Sequence, residues 1–447
     1  MSRIFFSGIG GSGMSAIAGF AADHGHNVAG SDRAFDRDPD NPVCKILRNK
    51  GIQIVPQDGL GINTSFDFAI FSTAVESDQA EVVKAGELGI PMKTRPQYLS
   101  ELVAQFSTIA VAGTSGKSTT AGMLAFLMDG LGLGPNFIGG GRVKQFRRSG
   151  DLGNSLSGNS DLLVIEACES DGSIVHYSPS YSIIANLRLD HHSVAETASM
   201  FEALGRNTKR IVVMNSDDEN LSLCRLNAPI RFSIDTDSKY QANSVEYQAF
   251  GSSFQLCGTA FRLSLPGKYN LYNALSCIAL LSEMGIALRD VAEALPDFAG
   301  IERRFDVHLN NERHLVVDDY AHNPHKIASL MEAARKIREG ICYIFQPHGY
   351  GPTRLMKREY IAAFAANLRK EDHLILLPIY FAGGTSIKDI SSEDLCEGIK
   401  AAGGSAEVLP ERALLFERLK EWDNYVVLGA RDESLAGFAQ EIALRLR

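Results

Sequence analysis

AVAGTSGKSTT at 110–120 decides the fold of the chain. An apolar run, Thr108–Ala112, leads into it, and a helix is predicted from Thr119 to Gly130. A buried strand, a glycine turn and a helix, in that order, are what a phosphate-cradling loop requires. The amides of Gly113, Thr114, Ser115 and Gly116 would wrap phosphate oxygens, with Thr119 opening the helix behind them. Lys117 would add a point charge on the β- and γ-phosphates, and the Ser118 hydroxyl would be a ligand for Mg²⁺. The usual loop has four residues between its glycines. Here Val111 stands where the first would fall, so the loop is a shortened variant.

A second glycine loop lies at the N-terminus. GIGGSG at 8–13 follows the apolar run RIFFS at 3–7 and precedes a helix predicted over Met14–His24. Asp32 comes just after the next strand, Asn27–Ala29. Gly8, Gly10 and Gly13 keep the spacing of a dinucleotide fingerprint, which suggests NAD. The physical content is broader: glycines let amides approach an anion at a helix start, so any pyrophosphate would fit, a UDP-sugar included.

From these two loops the rest of the chain reads as strands alternating with helices, the pattern of parallel α/β sheets. Strands are expected at Ile52–Val55, Phe68–Phe71, Leu162–Ile165, Ser182–Ala185 and Ile211–Met214, then at Leu315–Val317, Cys342–Phe345, Leu374–Leu377 and Tyr425–Leu428. Segment 228–265 reads as a small antiparallel insertion. The helix Leu271–Met284 is apolar on nearly every side and should be buried. With 447 residues, about three domains are expected. Boundaries near 106 and 300 give units of 1–105, 106–299 and 300–447.

Composition excludes several classes. There are 44 Lys and Arg against 53 Asp and Glu, net −9, with no basic block. Duplex nucleic acid and anionic membrane surfaces are therefore poor partners. No apolar stretch approaches a membrane span or the core of a secretion signal. Seven cysteines without a CxxC pair fit small buried hydrophobes in a reducing compartment, so a cytoplasmic protein is expected.

The ordered motifs resemble the Mur ligase family, the ATP-dependent amide-forming ligases of peptidoglycan synthesis. The carrying residues are GIGGSGMSAIA at 8–18, GSD at 30–32, STA at 72–74 and AVAGTSGKSTT at 110–120. EACESD at 166–171, Asn186 with Asp190-His191, PGKYNLYNA at 266–274, Arg303-Arg304-Phe305 and DDYAH at 318–322 continue it along the whole chain. The resemblance implies a three-domain α/β fold: a Rossmann-like UDP-sugar-binding domain, a P-loop ATPase-like domain, and a Rossmann-like C-terminal domain completing the ATP and amino-acid sites. It implies the reaction carboxylate + ATP + amine → amide + ADP + phosphate, run through an acyl phosphate. The leading substrates are UDP-N-acetylmuramate and L-alanine. Joining a recycled murein peptide is the alternative, and a NAD-dependent oxidoreductase a distant third. The chain would be a monomer or homodimer.

The resemblance also assigns residues. Lys117 would neutralise phosphate, Ser118 and Glu166 would hold one Mg²⁺, with Glu169 a second choice to Glu166, and His191 would help bind a second metal. Asn270 and Asn273 would sit by the adenine, Arg304 on the phosphates, Asp319 on the ribose and His322 nearby. Gly8, Gly10, Gly11, Ser12 and Gly13 would hold the UDP pyrophosphate, and Asp32 and Ser72 would flank the uridine. The residue types fit these jobs: hard oxygens suit Mg²⁺, and strand ends are where active-site groups of α/β sheets sit. Tyr320, His348 and Arg354 would form the amino-acid pocket. The sequence departs from the family there. FQPHGYGPTR at 345–354 carries Gly349 where the family has an arginine, and its arginine is displaced to 354. Tyr269 replaces the usual His before Asn270, and Gly429-Ala-Arg431-Asp432 replaces a G-A-G.

Overall fold

The computed structural model describes residues 1–147, 150–381 and 387–447. They form two compact units. One comprises Met1–Glu246, Ser253–Ser264 and Asn270–Ile301, the other Tyr247–Ser252, Leu265–Tyr269 and Glu302–Arg447.

The first unit contains two sheets. Strands β1 (Arg3–Ser7), β2 (Asn27–Ser31), β3 (Gln53–Ile54), β4 (Phe68–Phe71) and β5 (Met92–Thr94) run parallel in the order β3-β2-β1-β4-β5. The order reverses beside β1, and the Gly8–Gly13 loop leaves from that switch point, where open α/β sheets place ligands. The second sheet has eight strands: β6 (Ser107–Ala112), β7 (Asn136–Ile138), β8 (Ser155–Leu156), β9 (Leu162–Glu166), β10 (Tyr181–Ile184), β11 (Ile211–Asn215), β12 (Ile230–Ser233) and β13 (Tyr240–Gln241). Their order is β13-β12-β11-β10-β6-β9-β7-β8, with only the β7–β8 pair antiparallel. Central β6 and β9 are buried on both faces, which is why they read as continuous apolar runs.

Segment 228–265 departs from expectation. Its first strands, β12 and β13, extend the parallel sheet, with Phe232 opposite Tyr240 in parallel register. Only its later part, β14 (Asn243–Gln248), β15 (Gly251–Leu256) and β16 (Thr259–Leu263), makes a separate three-stranded sheet. Alternating apolar residues mark a strand without naming its neighbour.

The two sheets of the first unit share one apolar core running from Ile4 to Cys224. Polar ties reinforce it. Asn154 Nδ2 donates to the Ser12 carbonyl at 2.8 Å and to Ser15 Oγ at 3.0 Å. Lys50 pairs with both Asp23 and Asp151 at 2.6 Å. The helix Lys268–Glu283 is buried nearly all round, as its composition predicts.

The second unit is built on β17 (Asp306–Asn310), β18 (Leu315–Asp319), β19 (Ile341–Gln346), β20 (His373–Leu376), β21 (Ala406–Val408) and β22 (Asn424–Gly429), in the order β17-β18-β22-β19-β20-β21. All pairs are parallel except the edge pair β17–β18, and β17 is a strand that hydropathy did not reveal. Apolar residues cover both faces. Five cysteines are buried. Cys168 is half-buried and Cys257 exposed, so those two are not core residues. Among the described residues no helix is long and apolar enough to cross a membrane.

Candidate active site

The phosphate loop forms as its sequence requires. Gly116 caps the helix Lys117–Gly130 with a left-handed φ of +82°, open to glycine at little cost. A Cβ there would lie 2.5 Å from Asn273 Oδ1, so helix Lys268–Glu283 packs directly on the loop. Asn273 Nδ2 in turn donates to Asn270 Oδ1 at 3.2 Å. The two asparagines predicted by the adenine are thus bonded to each other and seated against the glycine turn.

Asn186, from the loop after β10, staples the turn from the other side. Its Oδ1 accepts from the Ser115 amide at 2.9 Å and the Thr114 hydroxyl at 3.0 Å, and its Nδ2 donates to the Ser115 carbonyl at 2.8 Å. Three bonds from one side chain fix the turn, and they occupy the Ser115 amide. The sequence placed Asn186 in a motif and gave it no task.

Lys117 Nζ donates to the Gly113 carbonyl at 2.5 Å and to Glu169 Oε2 at 2.8 Å. Burial alone would lower the lysine, but the neighbouring Glu169 carboxylate overrides it and raises Lys117 above its ordinary value. Glu169, the second choice in sequence, is therefore the charge partner of the loop lysine. Glu166 ends β9. Its Oε2 accepts from Ser118 Oγ at 2.9 Å, and its Oε1 accepts from the Gly140 amide at 2.6 Å. Glycines 139–141 let backbone come this close, since a Cβ on Gly141 would meet Ser118 Cβ at 3.0 Å. A hydroxyl and a carboxylate side by side at a phosphate loop are the oxygen donors Mg²⁺ takes, with phosphate and water completing its shell.

His191 lies apart from these contacts. It is exposed, makes no hydrogen bond among the described residues, and joins no group of three His, Cys, Asp or Glu able to hold a metal.

In the first glycine loop, several amides are already used. Gly8 and Ile9 donate to the Ser31 carbonyl at 2.9 and 3.0 Å, and Gly10 donates to Asp32 Oδ2 at 2.9 Å. Asp32 Oδ1 accepts from Ala34 and caps the short helix Arg33–Arg37. Asp32 thus braces the loop. Gly8 lies against Ser72, with an added Cβ 3.0 Å from Ser72 Cβ. Helix Ser12–Asp23 starts at Gly11 with no side-chain cap, so the amides of its first turn, Ser12 and Gly13, are the ones left to face an anion. Arg95 lies beside Gly13 and pairs with Asp171 at 3.1 Å. Below the loop, Glu81 is buried and accepts from Ser7 Oγ at 2.5 Å; burial pushes its carboxyl up. Sequence periodicity marked neither Arg95 nor Glu81.

In the second unit, the carboxyl ends of β18, β22 and β19 gather the other candidates. Arg303 is buried. It bonds Asp318 at 3.3 Å, the Gly429 carbonyl at 2.7 Å and the Asp432 carbonyl at 3.1 Å. Burial pushes Asp318 up to about 7 despite Arg303. Asp319 accepts from the Phe305 and Ala321 amides, each at 2.7 Å. Tyr320 is flanked by the guanidiniums of Arg303 and Arg304, 5.1 and 4.9 Å from its ring centre. His322 lies edge-on to Tyr320 and His348, and burial holds it neutral, down at about 3. Arg354 pairs with an acid of its own chain. Its Nε bonds Asp389 at 2.7 Å, and its terminal nitrogen bonds the same carboxylate and the Ile387 carbonyl. The pair is exposed, with side-chain exposures of 43% and 51%.

Three family models match in succession: "Mur ligase family, catalytic domain" over 3–107, "Mur ligase middle domain" over 111–281, and "Mur ligase, glutamate ligase domain" over 303–431. The UDP-N-acetylmuramate–L-alanine ligase of Caldicellulosiruptor saccharolyticus is 31% identical over 443 residues, 94% of this chain and 92% of that protein. The crystal structure of the UDP-N-acetylmuramate–alanine ligase of Thermotoga maritima is 27% identical, with a TM-score of 0.82 over 100% of this chain and 99% of that one. A murein peptide ligase from Psychrobacter arcticus, at 23% identity and a TM-score of 0.73 over 100% of this chain and 99% of that one, shares the fold.

Proposed function

The chain belongs to the Mur ligase family, and we propose that it is an ATP-dependent, ADP-forming ligase joining L-alanine to UDP-N-acetylmuramate. The observation that carries the reading is the phosphate loop, with Lys117, Ser118 and Glu166 converging on one turn. The names of the relatives support the two substrates.

The chemical difficulty is that a carboxylate has no good leaving group. Its oxygen attacks the γ-phosphorus of ATP, and ADP departs. The amine then attacks the acyl carbon, phosphate leaves, and the amine's proton goes to solvent. Such transfers depend mainly on positioning and charge neutralisation. The amides of Gly113, Gly116, Lys117 and Ser118 and the ammonium of Lys117 hold the β- and γ-phosphates. Asn186 and Asn273 keep the turn in shape. Ser118 and Glu166 would hold Mg²⁺, which when bound would offset the phosphate charge. Asn270 and Asn273 neighbour the adenine. In the first glycine loop, Ser12 and Gly13 supply amides to the UDP pyrophosphate, and Ser72 lies beside it. In the second unit, Arg304 takes phosphate, and Asp319 keeps a second lone pair on each oxygen for ribose hydroxyls. The three segments 1–105, 106–299 and 300–447 thus divide the substrates among them.

The test is phosphate release with UDP-N-acetylmuramate, Mg-ATP and each amino acid in turn. Release should require all three components and be greatest with L-alanine. Lys117→Ala should abolish it while UDP-sugar binding stays measurable by calorimetry. No release with any amine overturns the reading. Tight NADH binding that UDP does not displace would favour an oxidoreductase instead.

A further inference from the structure

The carboxyl edge of the second unit's sheet is rich in guanidinium groups, and nearly all are committed within the fold. Arg303 is held by Asp318 and two carbonyls. Arg412 bonds Asp432, Gln346 and Ser434. Arg354 bonds Asp389. Arg304 lies over the ring of Tyr320. Arg431 differs. It is exposed, and among the described residues its guanidinium has no hydrogen bond, ion pair or ring contact.

Its backbone is held nonetheless. The Arg431 amide donates to the Tyr320 hydroxyl at 3.2 Å. Its φ is +70°, a left-handed conformation that side chains disfavour. A non-glycine residue kept there at a strand end points to a use for its side chain. The position follows from the register. Gln346, at the end of β19, pairs with Gly429, at the end of β22. His348 and Gly349 leave the first strand, and Arg431 leaves its neighbour. Gly349 carries no side chain beside His348. His322 lies edge-on to His348, and burial holds it neutral.

We propose that Arg431 binds the carboxylate of the incoming amino acid, on the strand end adjacent to Gly349. This rests on the ligase reading and names a residue that sets its amine specificity. A guanidinium pairs a carboxylate through two parallel hydrogen bonds, which Lys cannot reproduce.

The experiment measures phosphate release while varying one substrate at a time, for the full chain and for Arg431→Gly, Arg431→Gln and Arg431→Lys. Glycine suits the left-handed backbone, so that variant separates loss of the guanidinium from misfolding. The KM for L-alanine should rise at least tenfold in the Gly and Gln variants. The KM values for ATP and UDP-N-acetylmuramate should stay within twofold, and the preference for L-alanine over L-alaninamide should collapse. An unchanged KM for L-alanine, or a rise confined to ATP, overturns the proposal and leaves the ligase reading standing. An unsubstituted chain that releases phosphate with no amino acid removes both.

Discussion

Lys117 Nζ lies 2.8 Å from Glu169 Oε2, and the carboxylate is buried with a side-chain exposure of 2%. The lysine proposed to meet the phosphates is thus half of an internal ion pair. Its charge is secured by the protein before any nucleotide adds its own.

Removing the acid should leave an ammonium buried without its partner. Glu169→Ala is expected to lower unfolding free energy by about 3 kcal/mol, the usual cost of breaking such a pair. Urea unfolding measures this. ATP should recover part of the loss by supplying phosphate charge to Lys117. An unchanged midpoint would mean that the pair is dispensable.

Gly116→Ala tests the contact between loop and helix. The new Cβ would fall 2.5 Å from Asn273 Oδ1 on a backbone of φ +82°. Phosphate release should drop about 100-fold, the scale of a misaligned transition-state donor. Retention of activity within twofold would show that the turn relaxes freely.

Glu166→Gln keeps shape and removes charge. The magnesium concentration giving half-maximal rate should rise at least about tenfold. A titration of rate against Mg²⁺ at saturating ATP reads this directly, and an unshifted curve would take Glu166 out of the metal shell.

His322 gives a pH signature. Burial, then the charge of Lys326, hold its pKa at about 3, below the ordinary 6.5. The unfolded chain takes up a proton first as pH falls, so stability is lost from about 6.5 down toward 3, while above 6.5 the group contributes nothing. His322→Gln should flatten that decline by about 1 kcal/mol at pH 5 after allowance for solvent screening. Thermal melts at pH 7.5 and pH 5 for both proteins provide the comparison.

Much of this was legible in the sequence because it is local. Two glycine loops, each between an apolar run and a helix, marked both nucleotide-type turns. Glu166 stood out in the sequence because it ends the run LLVIE. The omissions share a cause. Asn186 reaches Ser115 across 71 residues, and Arg303 reaches Gly429 across 126, distances that no periodicity encodes. Arg354 was read from its charge and spacing, which do not show that Asp389 is its partner. Strands β12 and β13 had the right pattern and the wrong neighbours. Glu169 and Glu166 stand three apart, and only the fold assigns one to the lysine and the other to the serine.

The bracing of the first loop by Asp32 carries a chemical constraint. Gly10 and Ala34 each present an N–H, and the two carboxylate oxygens accept one apiece. An asparagine of the same size has a single oxygen, and its NH₂ would confront a second donor. No neutral isostere satisfies both amides. An acid at position 32 is required by the turn itself, whichever sugar or nucleotide comes to rest above it.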